Sequence, residues 1–405
     1  MLNPDPAESQ GRDSWLSVFA VFLRLGLTSF GGPVAHLGYF RGEFVARRKW
    51  LDEAAYTDII ALCQFLPGPA SSQTAITIGI LRAGLPGAFA AWLGFSGPSA
   101  LAMIAFGYGV TQVGDIAEAA WLHGLKIVAV AVVAQAVWSM ARNLCPDRLR
   151  ATMAIVAALL ALALPNAFGQ IGAIALGALI GWRFLPAETT AAHSEIAIRI
   201  AKPPAIAALI IFFVLLAGLP LLAATTDDHT IALVDSFYRS GSLVFGGGHV
   251  VLPLLQKEVV PPGWINNDPF LAGYGAAQAV PGPLFTFSAY LGTVMQPGPN
   301  GWLGGLICLA AIYLPSFLLL VGILPYWDAL RRRTDVQSAL KGVNAAVVGL
   351  LLSALYTPVW TSAILRPADF GVGIVAFLLL VFWRLPPWTV VLLGAASAEA
   401  LARFL

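Results

Sequence analysis

The sequence predicts an all-α integral membrane protein built of two homologous repeats in inverted orientation, with helices broken by glycine and proline. Three observations carry this expectation. Of the 405 residues, 58% are hydrophobic and only 11% are charged, and mean hydropathy is +0.79, far above an ordinary soluble domain. One block occurs twice: FLRLGLTSFGG, then a Glu, a Trp and QFLPGP in the first half, and FYRSGSLVFGG, then a Glu, a Trp and QAVPGP in the second. The basic residues flanking matching segments also change sides between the copies, which under the positive-inside rule turns one half upside down relative to the other.

The register of the duplication follows by subtraction. Arg24 and Arg239, Gly31 and Gly246, and Glu43 and Glu258 are each 215 apart; Trp50 and Trp264, Gln64 and Gln278, and Pro67 and Pro281 are each 214 apart. Pro98-Ser99 matches Pro315-Ser316 at 217, and Gly124 matches Gly342 at 218. A slowly drifting offset is the mark of a duplicated domain with small insertions. The expected division is 1–185 for the first repeat, 186–231 for a cytoplasmic linker with an inverting helix, and 232–405 for the second repeat.

Taken in order, the first segment runs from Trp15 to Phe40 and is broken at Gly31-Gly32-Pro33. A basic loop with Arg41, Arg47, Arg48 and Lys49 follows, and then Tyr56 to Leu81, broken at Pro67-Gly68-Pro69. Leu101 to Gly114, Ala151 to Trp182, Pro203 to Thr226 and Gly342 to Leu365 are nearly free of charge, and about 20 such residues cross the hydrocarbon as a helix. Asp115 and Glu118 follow the third apolar segment where the second copy has Arg331, Arg332 and Arg333. Arg142, Arg148 and Arg150 follow the fourth, where the second copy has YTPVWTSAILRPAD. The polar stretch from Pro186 to Lys202 reads as the linker, and Pro203 to Ala223 as the extra crossing. If Arg41 to Lys49 and Arg82 share the cytoplasmic side, the broken segments enter the membrane and return; full but interrupted crossings are the other reading. Both stay open, with about 10–13 membrane segments in all.

Irregular backbone at membrane depth is tolerated only inside protein or against a water-filled cavity. Matching interrupted helices in two halves are the best sequence pointer to a transport site. The breaks at Gly31-Gly32-Pro33, Pro67-Gly68-Pro69, Gly246-Gly247-Gly248 and Pro281-Gly282-Pro283 are four such places. Pro33, Pro69 and Pro283 suit the first position of a new helix. Helix starts expose unpaired N–H groups and partial positive charge, a ready anion site. The expected substrate-binding set is Arg24, Ser29, Gly31, Gly32, Gln64, Gly68, Ser71, Ser72, Arg239, Gly246, Gly247, Gln278, Gly282 and Thr286. Arg24 and Arg239 offer guanidinium forks that fit tetrahedral oxyanions; the competing reading pairs each with a carboxylate such as Glu43 or Glu258. Gln64 and Gln278 either donate to substrate or satisfy carbonyls freed by the break. His36, Glu43, His249 and Glu258 are the candidates for proton coupling or gating.

The sequence also excludes chemistry. It contains no Gly-Lys dipeptide and so no Walker A loop, no HExxH, no GxSxG elbow and no basic patch interleaved with aromatics. Cys63, Cys145 and Cys308 are scattered without metal or redox spacing. No enzyme, cofactor, metal or nucleic-acid partner is expected, and neither a lipid-acting membrane enzyme nor a sensor accounts for paired intramembrane arginines.

Through RLGLTSFGGPVAHLGYFRGEF, WLDEAAYTDIIALCQFLPGPASSQ and GFSGPSA, then FYRSGSLVFGGGHVVLPLL, PGWINNDPFLAGYGAAQAVPGP and YLPSF, the chain resembles the chromate ion transporter family in its long, two-domain form. The resemblance implies export of chromate across a bacterial inner (plasma) membrane, with sulfate as a competing look-alike. It places the protein in the lipid bilayer and leaves a homodimer open; a sulfate-type or other small-oxyanion permease is the alternative. Energetics favour efflux: a dianion leaving a negative interior gains roughly 4.6 kcal/mol per 100 mV, over about a thousandfold in gradient. Proton antiport would add to that.

Overall fold

The structure is a computed structural model that describes residues 13–112, 119–186 and 200–404; Asp115, Glu118 and most of the linker expected between Pro186 and Lys202 lie outside the described residues. Among the described residues the fold is helical throughout, with no strand. The first half contains α1 (Trp15–Thr28), α2 (Gly32–Phe40, continued as a π-helix over Arg41–Arg47), α3 (Glu53–Phe65), α4 (Ala70–Gln112), α5 (Ala120–Leu144), α6 (Arg148–Ala163) and α7 (Ala167–Phe184). Helix α8 (Lys202–Thr225) joins it to α9 (His229–Leu243), α10 (Val251–Val259), α11 (Asn267–Ala277), α12 (Phe287–Val294), α13 (Gly301–Ile323) and the short α14 (Trp327–Leu330). The chain ends in α15 (Thr334–Ala354), α16 (Thr361–Ala363), α17 (Pro367–Val381) and α18 (Pro387–Phe404). At the sequence offsets, α1 matches α9, α3 matches α11 and α5 matches α15.

Local chemistry sets many of the boundaries. Asp52, Asp147, Asn166 and Asp228 each cap a helix by accepting a backbone N–H, those of Ala55, Arg150, Gly169 and Thr230, satisfying donors a helix start leaves unpaired. The Arg150 backbone and side chain also hold the Asp147 carboxyl below the usual range. Helix α4 is two arms: Ala83 and Gly84 leave helical geometry, with Gly84 at φ +66. The first arm matches α12 and the second matches α13.

Among the described residues, five helices are long and apolar enough to cross a membrane: α4, α5, α8, the stretch Gly301–Leu330 and the stretch Thr334–Ala363. The elements flanking the sequence breaks, with α4 counted only to its bend at Ala83, are all shorter than a span. They fold back instead. The Phe22 ring lies 5.8 Å from Phe40 and 5.1 Å from Phe44, so α1 and α2 run antiparallel. Cys63 meets Thr77 across α3 and the first arm of α4. Arg239 reaches Glu258 across α9 and α10, and the Tyr290 hydroxyl donates to the Pro269 carbonyl across α12 and α11. Four helical hairpins result, each with a sequence break at its tip.

Small residues let these elements approach closely, as expected between helices that gain little from burying apolar surface in lipid. A methyl on Gly124 of α5 would reach the Gly394 carbonyl of α18 at 2.5 Å, and one on Gly342 of α15 would strike the Gly177 carbonyl of α7. Each repeat thus seats its fifth helix against the last hairpin of the other repeat. The interface is reciprocal, as a duplicated fold with internal two-fold symmetry requires.

Candidate functional site

The four hairpin tips meet. The Gly68 N–H donates to the Val244 carbonyl at 2.7 Å, and the Gly282 N–H donates to the Ser29 carbonyl at 2.9 Å. Gly282 is Gly68 shifted by 214, and Val244 is Ser29 shifted by 215, so this is one contact made twice. The PGP tip of each repeat is stitched to the end of the first helix of the other. Glycine is required here because Gly68 and Gly282 sit at φ +129 and +99. The Gly31 and Gly248 breaks complete the group: a methyl on Gly248 would lie 3.5 Å from Pro33 Cγ. Gly31 and Gly246 are exposed at the tips.

Proline marks the new helix starts. Pro33 is in the first turn of α2, Pro69 directly precedes α4, and Pro283 precedes a short 3₁₀ turn, Leu284–Thr286, that leads into α12. Helix starts leave N–H groups without intrahelical partners, so α4 brings free donors to its tip beside buried Ser71 and Ser72. Several buried polar atoms at the tips have no partner among the described residues: Ser29 Oγ, His36 Nδ1, Gln73 Oε1, Gln278 Nε2 and Ser316 Oγ. Buried polar groups are seldom left unsatisfied, so these five mark the tips as a candidate site.

A family model described as "Chromate transporter" matches residues 16–182 and again 231–398. The chain belongs to this family. A chromate transport protein of Pseudomonas aeruginosa is 28% identical over 351 residues, covering 84% of this chain and 79% of that one. An uncharacterised transporter of Methanocaldococcus jannaschii is 27% identical over 356 residues, 86% and 85% of the two chains. A probable chromate transport protein of Synechococcus elongatus is 27% identical over 352 residues, 82% of each. No solved structure matches. Membership in a chromate transporter family supports a transport role in a multi-pass membrane protein and is consistent with the absence of an enzyme motif.

In this chromate-transporter family member the two repeats treat matching residues differently. Arg239 donates through Nη2 to Asp235 at 2.6 Å and to Glu258 at 2.9 Å. Its counterpart Arg24 is exposed, on the face of α1 turned away from α4, and makes no ion pair among the described residues. Asp235 has Ala20 in its place in the first repeat, and Glu43 is held by Arg47 at 3.0 Å and Arg48 at 2.6 Å. Gln64 is exposed, whereas Gln278 is half-buried. The Thr286 hydroxyl donates to the Pro283 carbonyl at 2.8 Å. His36 Nε2 lies 3.1 Å from the Ser29 carbonyl and His249 Nδ1 lies 2.8 Å from the Tyr274 hydroxyl. Gly246 and Gly247 approach Met140 of α5, and the Gly32 side is open.

Sequence reasoning missed Tyr313 and Ser316 as site residues. Gln73 Nε2 donates to the Pro67 carbonyl at 2.7 Å, and the Ser72 hydroxyl donates to Tyr313 at 3.4 Å. The signal was present: Pro315-Ser316 repeats Pro98-Ser99, but as a register mark it carried no chemistry. It also missed two ion pairs between the repeats. Arg331 Nη1 holds both oxygens of buried Asp58 at 3.0 and 2.9 Å, and Lys126 Nζ holds Asp268 at 2.9 Å.

Proposed function

We propose that the chain is a secondary transporter that exports chromate from the cytoplasm across the inner membrane. The observation that carries this reading is the reciprocal stitching of the hairpin tips. It gathers helix starts from both repeats, with their free donors and orphaned polar side chains, at one place where an oxyanion can be held without a metal or a nucleotide.

In the membrane, the four hairpins enter and return on one face each, and the second arm of α4, α5, α6, α7, α8, α13, α15, α17 and α18 cross. Arg41, Arg47, Arg48, Lys49, Arg82, Arg142, Arg148, Arg150, Arg183 and Arg331 to Arg333 then share the cytoplasmic side, against Lys257, Arg366 and Arg403 opposite. That asymmetry is what the positive-inside rule asks. The odd number of crossings between the repeats, with α8 as the extra one, inverts the second half. The FGG and PGP hairpins of the first repeat open from the cytoplasm, and those of the second from outside.

Chromate is drawn in by the unpaired Arg24 and held at the tips by N–H groups and hydroxyls around Ser29, Gly31, Gly32, Gly68, Ser71, Ser72, Gly246, Gly247, Gln278, Gly282 and Thr286. The Asp235–Arg239–Glu258 group gates the second repeat. Gln64, exposed on α3, contacts the anion only on the way in. Movement of one repeat against the other must break and remake the Gly68–Val244 and Gly282–Ser29 bonds, which makes them the hinge of alternating access. Membrane potential drives the dianion outward, and proton antiport through Glu258 adds to it.

Chromate tolerance of a sensitive bacterium with and without the chain tests the substrate. Equal sensitivity of the two strains, with the protein inserted, would sink chromate export. Competition by sulfate, molybdate and phosphate in proteoliposomes separates chromate from a broader oxyanion specificity.

A further inference from the structure

The serine of the repeated Pro-Ser pair has no role assigned to it in the reading above, and its two copies differ. Ser99 donates to the Ser96 carbonyl at 3.0 Å, the usual local bond of a helical serine. Ser316, its counterpart in α13, is fully buried, and its hydroxyl has no partner. It does not turn back to its own helix. It faces Gly68 of the other repeat: a methyl on Gly68 would lie 2.5 Å from Ser316 Oγ and 2.5 Å from Gln73 Nε2. Only glycine leaves room there. Gln73 is likewise fully buried and gives one N–H to the Pro67 carbonyl, while its Oε1 has no partner.

A buried, unpaired hydroxyl costs free energy that a bound group recovers. The Ser316 hydroxyl and the second N–H of Gln73 are both donors, and both converge on the bare Cα of the glycine at a hairpin tip. Helix α4 starts two residues further on, with its own free N–H groups. A donor from α13, donors from α4 and no carboxylate among these groups suit one oxygen of a small tetrahedral oxyanion. In the other repeat the same place cannot do this, because Phe287 stands where Gln73 is matched and the Ser99 hydroxyl is already committed.

We propose that Ser316, with Gln73, forms an oxyanion subsite at Gly68, so that one repeat supplies the hairpin tip and the other supplies the specificity-determining hydroxyl. This rests on the oxyanion-transport reading. It makes the substrate site single and asymmetric in spite of the duplicated fold.

The test is the initial rate of labelled chromate uptake into everted vesicles as a function of concentration, for the full chain and for Ser316→Ala and Ser99→Ala, each normalised to inserted protein. A hydrogen bond to a charged group accounts for about 10-fold or more in affinity. Ser316→Ala is expected to raise KM by at least about 10-fold with the maximal rate within about twofold, and Ser99→Ala to leave KM within about twofold. Equal KM values for Ser316→Ala and the full chain overturn the subsite. So does an equal rise in both variants, or a fall in maximal rate with KM unchanged, since either marks a packing role. If Ser316→Ala does not insert, Gln73→Leu takes its place with the same expected KM rise, and an unchanged KM there overturns the subsite. No saturable uptake by the full chain defeats the chromate reading instead; the same variants are then compared with labelled sulfate and molybdate, under the same criteria.

Discussion

Replacing Gly68 by alanine strikes the stitched tip directly. The residue sits at φ +129, where a side chain costs about 1–3 kcal/mol. The new methyl would stand 2.5 Å from Gln73 Nε2 and Ser316 Oγ. Those atoms are the ends of side chains and can move, but Gln73 must then give up its 2.7 Å bond to the Pro67 carbonyl, a loss of about 1 kcal/mol. If the tip shifts instead, the Gly68–Val244 bond between the repeats goes, at a similar cost. The sum is roughly 2–4 kcal/mol, or about 30- to 1000-fold in the population of intact tips. Gly32→Ala is the comparison, because φ there is +77 and the space beyond is open, leaving only a backbone cost of about 1–2 kcal/mol. Melting of the purified protein in detergent and chromate uptake into everted vesicles read the two effects. Gly68→Ala should melt a few degrees lower and lose most uptake, with Gly32→Ala between it and the native chain. Native melting and native uptake in Gly68→Ala would refute the claim that the tip bonds organise the site.

Other outcomes follow from the ion pairs. Arg239→Ala strands the buried carboxylate of Asp235 and the half-buried one of Glu258, and breaking a buried pair costs about 3–5 kcal/mol; the variant should fail to accumulate in membranes, while Asp235→Asn, which keeps the Glu258 partner, should accumulate normally on immunoblots. Arg24→Ala removes an exposed side chain with no ion pair, so its melting point should stay within about a degree, consistent with about ±0.5 kcal/mol, while chromate uptake falls by at least about 10-fold. Asp58→Ala should lower the melting point, because it unties the α3 hairpin from the second repeat. Exchanging the charges, Asp58→Arg with Arg331→Asp, should recover part of that loss. Cysteines placed in the loops near Arg47 and near Gly263 should be labelled by an impermeant reagent from opposite faces of the membrane; labelling from the same face would remove the inversion.

Much of the fold was legible because duplication is a property of the chain and needs no coordinates. The drifting offset between Arg24 and Arg239, and on to Gly124 and Gly342, named the helices that match. The two family-model regions show the same duplication. The direction taken after each break was not legible. Hydrophobic pattern records that a segment is apolar, not whether it goes on or turns back; contacts such as Phe22–Phe40, Cys63–Thr77, Arg239–Glu258 and Tyr290–Pro269 disclose the hairpins. The breaks were visible as Gly and Pro clusters, yet the pairing of Gly68 with Val244 joins residues 176 apart, which no local pattern encodes. Sequence symmetry also concealed differences. Arg24 and Arg239 look equivalent until Asp235 is seen to stand where Ala20 does, and Ser99 and Ser316 look equivalent until one hydroxyl is seen to be bonded and the other not.

Uptake of labelled chromate by purified protein in proteoliposomes, under an imposed potential of either sign, bears most directly on export. Protein facing inside-out and a positive lumen should give saturable accumulation above the external concentration, approaching about a thousandfold per 100 mV at the limit for a uniporter of a dianion. Collapse of the potential should stop it, and reversing the sign should empty the vesicles. Accumulation no greater than in protein-free liposomes, or accumulation indifferent to the potential and to a pH gradient, would contradict potential-driven chromate export.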